Sequence, residues 1–297
     1  MKVADSAIFH TFCSVAVEGY DAVESIAVQG MRGSNAPIGI IDSGVGGLTI
    51  LKEIQLALPA ESLFYIGDTA NCPYGGKAPA EIFSLTTTLV ETLIERGVKA
   101  VVIACNTISV NCIQLLRADF PELPFIGTAP AIKPAAALSS RKRIGILSTV
   151  STAESSYQAG LIEQFAAGCV VTNLGTNELV PLIERAEWDT GVPEILPRLL
   201  APFKRAEIDA LVLGCSHYPI IREQIQREMG VDVTVLDSGT AIARQVQRVL
   251  ERESLLATGA TPSFDFIATA ETPAFRQIID RLGIQRGVPA VAMISRT

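Results

Sequence analysis

Two short segments, Ala104-Cys105-Asn106-Thr107 and Gly214-Cys215-Ser216-His217, hold the residues best suited to chemistry in this 297-residue chain. Each thiol follows an aliphatic run, Val101-Val102-Ile103 or Leu211-Val212-Leu213, and precedes a helical pattern. A buried strand that turns into a helix leaves its last residues at the sheet's carboxyl edge, where open α/β sheets bind ligands. The start of the helix adds partial positive charge, which lowers a thiol's pKa. One free cysteine at a strand end is most often a small buried apolar residue. Two of them, each with polar residues directly behind, suit a reaction that needs a thiol on each side of its substrate.

Spacing removes several chemistries. A cysteine phosphatase needs Cys-x5-Arg, but Asn111 holds that place after Cys105, and Arg222 comes one position too late after Cys215. A single Cys–His hydrolase leaves the other thiol idle. Racemisation or epimerisation employs both: one thiolate takes the α-proton from one face and the opposite thiol returns a proton to the other. A thiol pKa of about 8.5 is close enough to neutral for either role. His217, two residues from Cys215, can assist proton transfer there; capping or core packing is its plain alternative. Cys13, Cys72, Cys112 and Cys169 have no such neighbours and read as ordinary cysteines. No Cys/His cluster has metal-ligand spacing, so no metal is expected. No nucleotide motif or Lys-centred cofactor pattern appears either, and the reaction reads as cofactor-independent.

Two loops could hold substrate. Asp42-Ser43-Gly44-Val45-Gly46-Gly47 is a Gly-rich turn opening a helix. It fits neither the dinucleotide fingerprint nor a P-loop, but close backbone approach at a helix N-terminus suits a carboxylate. A tight turn capped by Asp42 explains it equally well. Gly67-Asp68-Thr69-Ala70-Asn71-Cys72-Pro73-Tyr74-Gly75 offers a hydroxyl from Tyr74 and a backbone N–H from Gly75, or is a surface turn with a half-buried Tyr.

The elements that must position these residues alternate. Strands are expected at Ile38–Ile41, Leu63–Ile66, Ala100–Ile103 and Phe125–Gly127, then Arg143–Leu147, Val170–Asn173, Ala210–Leu213, Thr234–Leu236 and Phe264–Ala268. Helices are expected at Leu48–Leu58, Ala80–Arg96, from Cys105 through Leu116, Glu154–Ala166, Leu179–Ala186, Ile220–Met229, Ala241–Glu251 and Pro273–Leu282. That alternation implies βαβ units and mostly parallel sheets. Asp42-Ser43-Gly44 is echoed by Asp237-Ser238-Gly239, and Ala104-Cys105 by Gly214-Cys215. The fold class is therefore α/β, with two similar domains facing each other across a cleft. The expected boundaries are 37–131 plus 238–297 for the first domain and 132–237 for the second. Residues 1–36 form an extension, containing His10, with Met31 as an alternative start.

Composition limits the partners. Net charge is −7, so nothing points to nucleic acid or an anionic membrane. No apolar run is long enough to span a bilayer, and acids interrupt the N-terminal stretch where a secretory signal would need an unbroken apolar core. Scattered cysteines fit a reducing, cytoplasmic setting.

The blocks Ile41–Gly47, Gly67-Asp68-Thr69-Ala70, Pro73-Tyr74-Gly75, Ala104–Thr107, Pro130–Ala135, Leu179–Glu184 and Gly214–Pro219 together resemble the glutamate racemases of the aspartate/glutamate racemase family. The resemblance runs from about Ile38 to Leu282. It implies interconversion of L- and D-glutamate without a cofactor, supplying D-glutamate for peptidoglycan, in a chain expected to form a homodimer. Cys105 and Cys215 would be the acid/base thiols, with Asp42 assisting the first and His217 the second. Asp42, Ser43, Tyr74, Gly75, Asn106, Thr107, Ser216 and His217 would hold the substrate, with Glu184 as a supporting carboxylate near the ammonium. Three positions depart from the family pattern: Asn71 where a basic residue is common, Ser216 in place of Thr, and Gly175-Thr176-Asn177 in place of a Cys-containing turn. A racemase for aspartate or another amino acid, and a non-catalytic amino-acid clamp, are the competing readings.

Overall fold

The computed structural model describes residues 33–259, 261–284 and 289–291. The expected extension over 1–36, with its alternative start at Met31, lies almost wholly outside the described residues. Ten strands follow in chain order: β1 (Ile38–Asp42), β2 (Leu63–Gly67), β3 (Ala100–Ile103), β4 (Phe125–Gly127), β5 (Arg143–Ser148), β6 (Val170–Gly175), β7 (Ala210–Gly214), β8 (Thr234–Leu236), β9 (Phe264–Ala268) and β10 (Pro289–Val291). They form two sheets, ordered β10-β9-β2-β1-β3-β4 and β6-β5-β7-β8. Every pairing is parallel. The α/β class with parallel sheets is therefore the architecture.

Parallel sheets bury both faces, so their strands read as unbroken apolar runs rather than alternating ones. β1, β2, β3 and β7 obey this, with every residue buried. β6 is an edge strand, and Val170 stands largely in solvent.

The strand orders decide where ligands can bind. In the larger sheet the chain leaves β1 toward β2, then returns to β1's other side as β3. In the smaller one it leaves β5 toward β6 and returns on the far side as β7. Such reversals open a crevice beyond the strand ends. Ile41 is in register with Ile103, so Asp42-Ser43 and Ala104-Cys105 emerge together at the first reversal. Ser148 is in register with Gly214, so Thr149 and Cys215 emerge together at the second.

Helix boundaries largely match the sequence pattern, with three informative differences. The helix Gly191–Arg205 was not among the expected elements, because Pro197 and Pro202 lie inside it. Its buried face, Val192, Leu196, Leu199, Leu200 and Phe203, outweighs the lost backbone donors. The helix expected over Glu154–Ala166 begins at Ser156, and a separate short helix, Val150–Ala153, precedes it. There Thr149 and Ser155 each cap a helix, accepting from the Thr152 and Gln158 amides. The helix expected from Ile220 opens as a 3-10 turn, Tyr218–Ile221, before Arg222–Met229.

One buried ion pair ties distant segments beneath the larger sheet. Lys99 Nζ lies 2.5 Å from Glu61 Oε2, with side chains 0% and 2% exposed. Lys99 Nζ also donates to the Ser34 carbonyl, and the Ala257 amide donates to Glu61 Oε1 at 2.9 Å. Removing one partner of a buried pair leaves an uncompensated charge, at a cost of about 3–5 kcal/mol. Lys99→Met is therefore expected to lose about that much stability in urea unfolding, and adding Glu61→Gln to recover part of it.

Candidate active site

The two thiols are buried, Cys105 at 4% exposure and Cys215 at 6%, among polar groups that are equally enclosed. Asp42 is 0% exposed and His217 1%. Cys105 precedes the helix Asn106–Asp119, in extended backbone, and donates its thiol to Ser43 Oγ at 3.6 Å. Cys215 Sγ lies 3.9 Å from His217 Nδ1. Ser43, beside Cys105, adjoins Asp42, and Asp42 accepts from Ser216, the residue after Cys215, so the two thiols belong to one hydrogen-bonded cluster.

Burial and the Asp42 carboxylate push the Cys105 thiol up to about 12, against hydrogen bonds from the Ile108 amide and Ser43 that act to lower it. The expected lowering by the helix start is present, in the Ile108 N–H, but desolvation exceeds it. For His217, burial works against the imidazolium. Hydrogen bonds to Cys215, Cys72 and Glu184 outweigh that and hold its pKa well above the ordinary value. One thiol thus faces a carboxylate, and the other faces a histidine that favours the charged form.

Asp42 does more than stand near Cys105. Its Oδ1 accepts from the Gly44 amide at 2.9 Å, and its Oδ2 accepts from Ser216 Oγ at 2.8 Å. The residue beside one thiol is thereby bonded to the residue behind the other. Burial raises the Asp42 pKa, and the neighbouring His217 is the largest influence opposing that rise.

The Gly-rich turn binds a carboxylate, and the carboxylate belongs to the protein. Val45 N–H donates to Glu184 Oε1 at 2.8 Å. Glu184 ends the helix Leu179–Glu184, where the helix dipole opposes a negative side chain. His217 Nε2, 2.7 Å from the same oxygen, and the Cys72 thiol, 3.5 Å away, supply the compensation. The glycines are there for space rather than unusual φ. A Cβ on Gly44 would lie 1.9 Å from Glu184 Oε1, and one on Gly46 would lie 2.3 Å from His217 Nδ1. Beneath the turn, Tyr65 donates its hydroxyl to the Gly44 carbonyl at 2.6 Å.

The other expected residues surround this core. Tyr74 is buried and gives its hydroxyl hydrogen to Asp68 Oδ2 at 2.6 Å. Gly75 packs against Asn177 and Thr149, where a Cβ would sit 2.6 Å from Asn177 Oδ1. Thr107 Oγ1 is 2.9 Å from Thr149 Oγ1, a contact between the two strand-end clusters. Asn106 starts its helix with Nδ2 buried and without a partner, and Glu184 Oε2 is likewise buried and unpartnered. Asn71, where the family commonly has a basic residue, donates to both Asp68 oxygens at 3.0 Å.

Sequence reasoning missed Cys72, Tyr65 and Thr149. Cys72 shares its loop with Asp68 and Tyr74, which bond each other, and its own companions Glu184 and His217 arrive from far along the chain. Tyr65 sits inside an apolar strand and gives no signal of its own.

A family model for Asp/Glu/hydantoin racemases matches residues 38–246. The chain belongs to that family. It is 40% identical over 237 residues to a glutamate racemase from Pseudomonas paraeruginosa, covering 79% of this chain and 89% of that one. It is 42% identical over 250 residues to one from Deinococcus radiodurans, covering 83% and 86%. Among solved structures, a glutamate racemase from Bacillus anthracis superimposes with a TM-score of 0.77 at 31% identity, covering 87% of this chain and 98% of that one. Escherichia coli glutamate racemase, solved with L-glutamate and the activator UDP-MurNAc-Ala, gives 0.75 at 34% identity, covering 83% and 95%. Among the described residues no helix is long and apolar enough to cross a membrane.

Burial raises three thiols, Cys72, Cys105 and Cys112, from the ordinary 9.0 to about 12. The unfolded chain loses these protons as pH passes about 9, while the folded protein keeps them. Stability is therefore complete below pH 9 and falls as pH rises toward 12. The urea midpoint is expected to hold from pH 7 to about 8.5 and to drop between about 9 and 11. Cys112→Ala should give a shallower drop.

Proposed function

We propose that this chain interconverts L- and D-glutamate by a two-thiol acid/base mechanism, supplying D-glutamate for peptidoglycan, with lobes 37–131 plus 238–297 and 132–237 enclosing the substrate. A homodimer in the cytoplasm is part of the same reading. The observation that carries it is the pairing of Cys105 and Cys215. Each lies at the switch point of its own parallel sheet, and both lie within one buried cluster joined through Ser43, Asp42 and Ser216. The glutamate racemases among its relatives supply the substrate.

In the proposed reaction one thiolate forms an S–H bond with the α-proton as the Cα–H bond breaks. The electron pair left on Cα then takes the proton of the opposite thiol, and its sulfur keeps the S–H electrons. Inversion is complete, and the thiols have exchanged protonation states. Burial and the Asp42 carboxylate disfavour a negative charge at Cys105, so that thiol rests protonated. His217, whose charged form is favoured, stands 3.9 Å from Cys215 Sγ and can exchange a proton with it. The unpartnered Asn106 Nδ2 offers a donor to a substrate carboxylate, and the unpartnered Glu184 Oε2 an acceptor to the ammonium. Ser43, Thr107, Ser216, Tyr74 and Gly75 line the remaining polar surface.

The direct test is α-proton exchange in D2O with L- or D-glutamate and no added cofactor. Racemisation should proceed with deuterium incorporation, and Cys105→Ser or Cys215→Ser should each lower turnover by about 10²–10⁴-fold. Near-normal turnover in either variant sinks the two-thiol mechanism, and faster turnover of aspartate than glutamate sinks the substrate assignment.

A second prediction follows from the unlike surroundings of the thiols. Enantiomers have equal free energies, so kcat/KM must be the same in both directions at any pH. Inequality between the thiols shows only in kcat and KM taken separately. Asp42→Asn is expected to change kcat from L- and D-glutamate by different factors while the kcat/KM ratio stays at one. Equal changes in both kcat values, measured by initial rates, would count against distinct roles for the thiols.

A further inference from the structure

Cys72 is a half-buried thiol with no part in the proposed proton transfers. Its sulfur, a carboxylate oxygen of Glu184 and a ring nitrogen of His217 all lie within 4.8 Å of one another. The loop before Tyr74, the end of the helix Leu179–Glu184 and the turn after β7 bring them together. We infer that these three side chains form a binding site for a borderline-soft divalent cation of the zinc class, which on occupying it blocks the adjoining reaction centre.

The donor set selects the ion. One thiolate, one imidazole and one carboxylate are zinc-type ligands, whereas magnesium and calcium prefer oxygen alone. Thiolate and carboxylate together carry two negative charges and imidazole none, so a dication leaves the buried site neutral. Binding exchanges one M2+ for two protons, one released from the Cys72 thiol and one from between His217 Nε2 and Glu184. Nothing is oxidised or reduced.

The geometry needs little adjustment. Zinc bonds of about 2.0–2.3 Å in a tetrahedron set ligand atoms about 3.4 Å apart. Cys72 Sγ is already 3.5 Å from Glu184 Oε1. His217 Nε2, 2.7 Å from that oxygen, must open by roughly half an ångström or more. Glu184 Oε1 can turn to the metal the lone pair it now offers His217 and Cys72, and keep the other on the Val45 amide. His217 Nδ1 would still face Cys215. The fourth position of a three-ligand site stays open to water or to a substrate oxygen.

Two consequences separate this site from general thiol poisoning. The metal neutralises Glu184, whose other oxygen is offered to the substrate ammonium, and removes the His217 proton, so inhibition should be competitive with glutamate. That half rests on the proposed racemase reading. The binding half does not, because Cys72 is a ligand outside the reaction.

The test adds Co2+ to the full-length protein and records its absorption, then titrates Zn2+ against turnover. Wild type should show a near-ultraviolet thiolate-to-cobalt band that Cys72→Ser and Cys72→Ala both lose. In both variants, each measured against its own metal-free turnover, the zinc inhibition constant should rise by at least about tenfold. A band of full strength in both variants would place the metal on Cys105 or Cys215, and no band in wild type would leave no site; either overturns the proposal. Equal zinc sensitivity with and without Cys72 overturns the inhibitory role. A protein that binds Co2+ through Cys72 but fails to racemise glutamate would refute the functional reading and keep the site.

Discussion

Glu184 Oε1 accepts from the Val45 amide and lies within hydrogen-bond reach of His217 Nε2 and the Cys72 thiol, three groups from separate stretches of chain. Among the described residues the two sheets share no strand pairing, so contacts between their loops hold the carboxyl ends together. This carboxylate supplies one such contact, and the Ser216–Asp42 hydrogen bond supplies another. A buried charge at a helix C-terminus is unfavourable alone, through both desolvation and the dipole. It persists because its partners converge on it, and the same convergence aims His217 Nδ1 toward Cys215. The alignment of the two thiols thus depends on satisfying one awkward carboxylate.

The surroundings of the thiols differ in sign. Cys105 sits beside an anion, Asp42, whereas Cys215 sits beside a histidine whose charged form is favoured. Low polarity magnifies both effects, because neither charge is screened by water. A pair of identical side chains in roughly mirrored places therefore holds one proton unevenly. Asp42 links the two environments, since the carboxylate that raises Cys105 is held by the hydroxyl beside Cys215.

Much of this was legible in the residues. Unbroken aliphatic runs ending in Asp42, Cys105 and Cys215 marked buried parallel strands with polar carboxyl ends, and the strand orders put those ends at switch points. His217 was readable because it stands next to its thiol in sequence. What was not legible depends on contacts across long separations. Cys72 looked structural because Glu184 is 112 residues away from it. The Gly-rich turn looked ready for a substrate carboxylate, since nothing local reveals that Glu184 fills its amide. The direction of the Cys105 shift was hidden for a similar reason: a helix start can be read from sequence, but the depth of desolvation cannot. Gly191–Arg205 escaped because Pro197 and Pro202 argue locally against a helix that its apolar face stabilises globally.

The contact between Gly46 and His217 makes access and tuning inseparable. No side chain fits between that turn and the imidazole: a Cβ on Gly46 would lie 2.3 Å from His217 Nδ1, 2.6 Å from Ser216 Oγ and 2.7 Å from the His217 amide nitrogen. The Ser216–Asp42 bond joins the same two stretches of chain, and the Val45–Glu184 bond anchors the turn to the carboxylate that His217 also meets. Any movement that separates the turn from the imidazole therefore stretches the contacts that set the charge around the thiols. The hinge and the tuning screw are one seam.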